Sequence, residues 1–262
     1  MEEVEIRHAA NRAFARQAQS YIATTTAEVD FALAIKTKTS RTDMVTQVDK
    51  AVESLLSAAI AAAFPEDRIV GEEFGTSGGQ GRYEWVVDPI DGTTNFVYGF
   101  PAYAISIAIR DTQSADTVSG VVLDVARDRL YEAIAGQGAK ANSHAISVTD
   151  QDRLSNALIG TGFSYSDEMR VTQGGILAAI LGKVRDIRRA GAASLDLCMV
   201  AAGELDGYYE SGLWPWDYLA GALIVTEAGG CVTGGSDAEP SATMIVASNG
   251  KIHQALREAI DL

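Results

Sequence analysis

Trp85-Val86-Val87-Asp88-Pro89-Ile90-Asp91-Gly92-Thr93-Thr94-Asn95-Phe96 joins an apolar strand to a turn that carries two carboxylates three residues apart. Pro89 fixes φ and cannot donate to a strand ladder, so pairing is interrupted there. Gly92 permits a tight turn and close approach of a ligand. The Gly-Thr-Thr amides can face an anion, especially if a helix opens at Thr94. Two carboxylates this close repel each other unless a cation lies between them. A hard divalent ion with oxygen ligands suits them, and beside phosphate that ion is usually Mg²⁺. An Asp-Pro-x-Asp-Gly segment is also a common surface turn, so its meaning depends on the rest of the chain.

Upstream, residues 4–34 read as a long amphipathic helix, with Ala9, Ala13, Phe14, Ala18 and Ile22 on or near one face. A second helix follows a polar stretch, with Val48, Val52, Leu55, Leu56, Ala59, Ile60 and Ala63 at helical spacing and Pro65 as its stop. Ile69–Glu72 reads as a strand, residues 76–81 as a Gly-rich loop, and Glu84–Asp88 as the strand that delivers the carboxylates. Strands at 103–110, 117–124 and 129–134 follow closely enough to form an antiparallel meander. Beyond residue 145 the rhythm becomes strand, helix, strand, helix. The expected fold class is mixed α/β, with an α+β N-terminal lobe (1–145) and an α/β C-terminal lobe (146–262) in one compact unit.

Composition bounds the function. The chain has 262 residues, 47% of them hydrophobic, with 25 Gly and 5 Pro, which suits a globular protein with a large core. Its 21 Lys and Arg against 35 Asp and Glu leave a net charge of −14. That balance argues against sequence-independent nucleic-acid binding. It does not oppose an anion pocket whose charge is inverted by metal ions. Cys198 and Cys231 read as small buried hydrophobes in a reducing cytoplasm. The acidic N-terminus does not resemble a secretion signal, and no uncharged apolar run reaches about 18 residues.

Further acids raise the weight of the first pair. Gly71-Glu72-Glu73 ends a strand just upstream, and Glu210 ends another. Asp217 begins the apolar helix 217–228, where N-capping is the alternative reading. Asp49 sits in Thr46-x-x-Asp49, which also reads as a helix cap. In an α/β lobe, ligands collect at the carboxyl ends of strands, where Glu210 and Asp217 lie. A P-loop, a Gly-x-Ser-x-Gly elbow and a His-Glu-x-x-His helix are absent. Gly160-Thr161-Gly162 lacks the third glycine of a dinucleotide fingerprint. These residues imply a metal-dependent site for an oxyanion, with a phosphate ester as the expected substrate.

In order and spacing, Gly71-Glu72-Glu73, Asp88-Pro-Ile-Asp91-Gly-Thr93-Thr94-Asn95-Phe96, Trp216-Asp217-x-x-Ala220-Gly221 and Glu227-Ala-Gly-Gly230 closely resemble the inositol monophosphatase family. Gly191-Ala-Ala193-Ser-Leu-Asp-Leu and Tyr208-Tyr209-Glu210 resemble its inositol-phosphate members, bacterial ones included. The resemblance spans about residues 5–260 and implies a layered αβαβα sandwich. It implies that Glu72, Asp88 and the Ile90 carbonyl bind one Mg²⁺, and that Asp88, Asp91 and Asp217 bind a second. A weaker third ion would involve Glu72. The amides of Gly92 and Thr93 would hold phosphate, with Thr94 beside them. Glu72 and Thr93 would orient a water, with Asp49 polarising the Thr93 hydroxyl. Asp91, Ala193, Glu210 and Asp217 would meet the inositol hydroxyls, and Lys38 matches a family lysine near the site.

The implied reaction is direct, in-line hydrolysis of myo-inositol 1-phosphate without a phosphoenzyme. The resemblance also implies a homodimer sensitive to Li⁺, while charge, cysteines and the lack of a long apolar run lead us to expect a cytoplasmic protein with no nucleic-acid or membrane partner. Alternatives are another small phosphate ester (fructose 1,6-bisphosphate, histidinol phosphate or 3′-phosphoadenosine 5′-phosphate) and a regulatory, partner-binding role on the same fold.

Overall fold

The computed structural model describes residues 2–28, 41–235 and 239–260. Strand β3 (Tyr83–Asp91) is buried along its whole length, and its alternate side chains enter different cores. Trp85 and Val87 meet Ala15, Ala18 and Ile22 of helix α1 (Glu2–Glu28) and Val52, Leu56 and Ile60 of helix α2 (Arg41–Ala63) in one core. Val86 enters a second core with Leu197 and Val200 of helix α5 (Ala193–Ala201) and Ile224 of helix α6 (Pro215–Glu227). A strand buried on both faces loses the polar alternation of a surface strand, which explains the continuous apolar run before Asp88.

Two sheets carry this arrangement. The first has eight strands in the order β2-β1-β3-β4-β5-β6-β7-β8. They are β1 (Arg68–Gly71), β2 (Gly75–Gly78), β3, β4 (Ala104–Asp111), β5 (Thr117–Asp124), β6 (Arg129–Ile134), β7 (Ala139–Ala141) and β8 (His144–Ala145). β1 runs parallel to β3, and β3 through β8 form the expected antiparallel meander. The second sheet has the order β10-β9-β11-β13-β12. Its strands are β9 (Leu158–Thr161), β10 (Asp186–Arg188), β11 (Gly207–Glu210), β12 (Cys231–Thr233) and β13 (Ile245–Ser248). Tyr208, Ile245 and Ala247 point back into the core shared with α5 and α6. Ile159, Tyr209 and Val246 point outward to Ile180 of helix α4 (Asp167–Ile180) and Leu256 of helix α7 (His253–Ala259). The layers are therefore αβαβα.

Close packing of the central helices depends on small residues. A Cβ on Gly120 of β5 would lie 2.8 Å from the Ala220 carbonyl oxygen of α6. Cys198 and Cys231 are both free thiols, and Cys198 is buried. Among the described residues, no helix is long and apolar enough to cross a membrane.

The structure corrects the loop expected at 76–81. Gly75–Gly78 pairs antiparallel with β1 although all four residues are exposed. Its pairing uses the backbone alone, so no side-chain pattern marks it. The expected first helix is seen to Glu28, and its remainder (29–34), with Lys38, lies outside the described residues.

Candidate active site

The carboxylate turn begins with an irregularity in the sheet. Asp88 pairs with Ser106 but Asp91 pairs with Ala104, so three steps along β3 face two along β4. In a regular strand, residues an odd number apart point to opposite faces. The bulge at Pro89-Ile90 removes that alternation, as bulges near active sites commonly do. Carboxylate oxygens of Asp88 and Asp91 consequently come within 4.8 Å of each other and of one from Asp217. The Ile90 amide donates to Asp88 Oδ1 at 2.9 Å and fixes the turn.

Gly92 follows with φ 87 and caps helix α3 (Thr93–Tyr98). A Cβ there would sit 2.8 Å from the Ala102 carbonyl oxygen, so the position needs glycine for its backbone and its space. The helix opens at Thr93, one residue earlier than expected. The Thr93 hydroxyl donates to the Ile90 carbonyl oxygen at 3.0 Å. Its acceptor here is thus Ile90 rather than Asp49, because the tight turn brings that carbonyl back over the helix start. Asp49 is buried, with its Oδ1 lacking a hydrogen-bond partner, and burial with Glu72, Glu73 and Glu53 nearby pushes its carboxyl up to about 8.

Asp91 is held from the other half of the molecule. The amides of Ala193 and Ser194 donate to its two oxygens at 3.2 and 2.7 Å, and the Ser194 hydroxyl donates at 2.5 Å. The N-terminus of α5 therefore aims Asp91. Ala193 acts here through its amide and is also one of the residues that line the cavity. Ser194 is a functional residue that no motif of the sequence singles out; its position beside Ala193 in the Gly191–Leu197 segment is the available signal. Asn95 ties the same loop down, donating from Nδ2 to the carbonyl oxygens of Ala102 at 2.7 Å and Ala190 at 2.8 Å.

Asp217 is the third residue of α6 rather than its cap. Trp214 occupies the cap, Pro215 follows, and the Trp214 amide donates to Asp217 Oδ2 at 2.7 Å. Glu210, at the end of β11, accepts from the Tyr208 hydroxyl at 2.5 Å. Residue 162 presents no side chain to it: a Cβ there would lie 1.9 Å from Glu210 Oε2 in its present position. Gly162 thus makes room for Glu210. Arg189 lines the cavity, whereas Arg188 pairs with Asp186 on the surface.

These groups surround a cavity of about 330 Å³ that also takes in Glu72, Ile90, Gly92 and Thr93. Thr94, beside them, is exposed. The electrostatics are those of crowded acids. Burial, then Glu72, Asp91 and Asp217, pushes Asp88 well above the carboxylate range. Asp91 is raised by burial against the opposing bonds from Ser194 and Ala193. Asp217 is pushed up to about 8, by burial and then Asp91. Glu72 and Glu210 rise to about 7, burial being the larger cause in each. The fully buried Asp196, behind Glu210, is also raised well above its usual range. Three oxygens within 4.8 Å whose mutual repulsion resists ionisation fit a divalent cation, which would favour the charged forms of Asp88, Asp91 and Asp217.

Carboxylates gathered for a cation on this layered fold define a class, the metal-dependent phosphomonoesterases. The model of the inositol monophosphatase family matches residues 4–261, and the chain belongs to that family. It is 50% identical over 205 residues to the inositol-1-monophosphatase SuhB of Mycobacterium tuberculosis, covering 75% of this chain and 70% of that protein. It is 43% identical over 226 residues to a Pseudomonas aeruginosa protein named Nus factor SuhB, covering 83% of each. The solved M. tuberculosis SuhB superposes with a TM-score of 0.84 at 41% identity, covering 98% of this chain and 96% of that one. The inositol monophosphatase from Anabaena gives 0.85 at 32% identity, with the same coverage.

Proposed function

We propose that this phosphomonoesterase hydrolyses myo-inositol 1-phosphate in a Mg²⁺-dependent reaction. The observation that carries the reading is the convergence of Asp88, Asp91 and Asp217 beside Glu210, at the junction of the two sheets. The relatives support the substrate: SaIMPase-II, similar with a TM-score of 0.81 at 27% identity over 97% of this chain, has been solved with inositol monophosphate bound.

Glu72, Asp88, Asp91, Asp217 and the Ile90 carbonyl would hold two Mg²⁺, with a third near Glu72. Bound there, Mg²⁺ acidifies water and neutralises charge on the phosphate and the departing alkoxide. The chain's own residues supply position. Asp88 and Asp91 fix one side of the site through the β3 bulge, and α5 locks Asp91. The Gly92 and Thr93 amides, with Thr94 beside them, receive phosphate oxygens. Glu72 and Thr93 direct the attacking water. The Thr93 hydroxyl donates to the Ile90 carbonyl oxygen, and Asp49 would polarise it once it turns away from that carbonyl. Glu210 and Asp217 accept hydrogen bonds from substrate hydroxyls, and Ala193 forms the edge of the site beside them.

The two lobes (1–145 and 146–262) both contribute, since Asp91 and Glu210 lie on different sheets. We infer a homodimer in the cytoplasm on the strength of the family alone. The test is phosphate release from myo-inositol 1-phosphate with Mg²⁺ and with chelator, beside fructose 1,6-bisphosphate, histidinol phosphate and 3′-phosphoadenosine 5′-phosphate. Mg²⁺-dependent preference for the inositol ester is expected. Preference for another ester overturns the substrate, and activity that survives chelation overturns the metal site.

A further inference from the structure

Two loops flank Glu210, and one side chain outside the cavity grips both. One loop, 162–165, follows β9, and the other, 211–214, follows β11, the parallel neighbour of β9. Residues 162–165 and 212–214 line the cavity together with Glu210. Loops at the carboxyl ends of adjacent parallel strands are where an α/β sheet commonly meets its ligand.

Gln173 of α4 spans the two loops. The Ser164 amide donates to Gln173 Oε1 at 2.9 Å. Gln173 Nε2 donates to the Ser211 carbonyl oxygen and to the Ser211 hydroxyl, each at 3.0 Å. The side-chain amide thus spends its acceptor on one loop and its donors on the other. Ser211 directly follows Glu210 in the chain. On the other side, Gly162 opens the loop that Ser164 belongs to and lies against the Glu210 carboxylate. Gln173 therefore holds the segments on both sides of Glu210.

Helix α4 has little else to fix it there. Its buried residues are Gln173 and Ile180, and Ile180 packs in the outer core with Leu256 of α7. Gly174 and Gly175 come next, and a Cβ on either would meet nothing within 4 Å, so neither is glycine for want of space. Two glycines weaken a helix interior. Met169, one turn before Gln173 on the same face, reaches Gly212, where a Cβ would lie 2.9 Å from Met169 Cε. The face of α4 that meets the loops is therefore anchored by specific contacts, with the buried amide at their centre.

We propose that Gln173 is a positioning residue for the alcohol of the substrate: it locks loops 162–165 and 211–214 at the separation Glu210 occupies, and so fixes the wall that a cyclitol hydroxyl meets. The inference rests on the phosphatase reading above. Without these bonds the loops sample other separations, and affinity falls with the fraction of molecules whose wall is formed. The carboxylate turn that holds phosphate and water lies on β3 and α3, in the other sheet's layer, so the chemical step is spared.

The experiment measures kcat and KM for myo-inositol 1-phosphate and glycerol 2-phosphate at saturating Mg²⁺, beside a thermal melt, in the wild type, Gln173→Met and Ser211→Ala. Methionine keeps the length and packing of glutamine without its polar atoms. The wild type should prefer the inositol ester. Gln173→Met should raise KM for that ester by about tenfold, as when about one molecule in ten has the wall formed. Its kcat should stay near the wild-type value, the sign of lost binding rather than lost chemistry. Glycerol 2-phosphate, with a short acyclic alcohol, meets less of the wall, and its KM should rise less. Ser211→Ala deletes one of the three bonds and should move the same KM in the same direction by less. A misfolded fraction lowers the apparent kcat for both esters and leaves KM in place, so a merely structural role gives a different pattern. An unchanged KM for the inositol ester in Gln173→Met, or an equal rise for both esters, overturns the positioning role alone. If Gln173→Met does not fold, Ser211→Ala decides, and an unchanged KM there overturns the role. A wild type that hydrolyses glycerol 2-phosphate but not the inositol ester overturns the substrate reading and the role of the wall with it. A wild type that hydrolyses neither overturns the phosphatase reading as well.

Discussion

Replacing Gly162 with alanine tests how the two sheets share the substrate site. The new methyl would lie 1.9 Å from Glu210 Oε2, 2.3 Å from Cδ and 2.4 Å from Oε1. Ordinary contact is about 3.5 Å, so the carboxylate must retreat by roughly 1.5 Å. That movement breaks its 2.5 Å bond from the hydroxyl of the buried Tyr208. An orphaned buried hydroxyl costs about 1–3 kcal/mol. For a chain of this size, each kcal/mol corresponds to roughly 2–4 °C in Tm. Loss of a charge-assisted hydrogen bond from Glu210 to a substrate hydroxyl costs about 1.5–3 kcal/mol, or roughly 10- to 150-fold in kcat/KM. The assay is kcat/KM on myo-inositol 1-phosphate beside a thermal melt. Because Glu210→Ala by itself already removes the acceptor of the Tyr208 hydroxyl, the double variant Gly162→Ala/Glu210→Ala should lose no more Tm or activity than Glu210→Ala alone. Unchanged Tm and kcat/KM in Gly162→Ala would show that this glycine does not make room for Glu210.

Three further outcomes are expected. Asp91→Asn should lower turnover by about 10³-fold or more while leaving the circular dichroism spectrum unchanged; near-normal kinetics would remove Asp91 from the metal site. Ser194→Ala deletes the 2.5 Å hydroxyl bond to Asp91 and leaves both amide bonds, so half-saturation with Mg²⁺ should rise by about tenfold; an unchanged titration would mean that the amides alone aim the carboxylate. The Tm gain on adding Mg²⁺ should grow with pH. Asp217 is held at about 8 and Glu72 at about 7 without a cation. Both are raised, so in the cation-free protein their protons stabilise the fold at low pH, and that contribution is lost as pH rises through 7 to 8. Mg²⁺ must displace these protons below that window and meets ionised carboxylates above it. Differential scanning calorimetry at about pH 6 and about pH 9 checks this, and a gain that shrinks with pH contradicts it.

The site was legible where chemistry is concentrated in short motifs. An apolar run ending in Asp88-Pro-Ile-Asp91-Gly announces paired carboxylates at a strand end, and Glu72, Glu210 and Asp217 could be placed at element ends from periodicity. The meander and the later strand–helix alternation showed in the same way. Less visible were elements that pair through backbone alone, such as β2, and very short strands such as β8 and β12. The present acceptor of the Thr93 hydroxyl was also hidden, because it depends on how sharply the turn at Gly92 closes.

The amino-acid sequence by itself determined which chemistry the protein carries: the number of carboxylates, their position at strand and helix ends, and the glycine that lets the turn close. Those are local properties, set by residue type and by periods of two or 3.6 along the chain. Only the tertiary structure decided that Asp88 and Asp91 face the same way, since that follows from a register shift against β4. It alone decided that α5 aims Asp91 through Ser194 and that Gly162 clears space for Glu210. Such contacts join residues far apart in the chain. They are selected by the packing of two sheets against shared helices, and no local period encodes them.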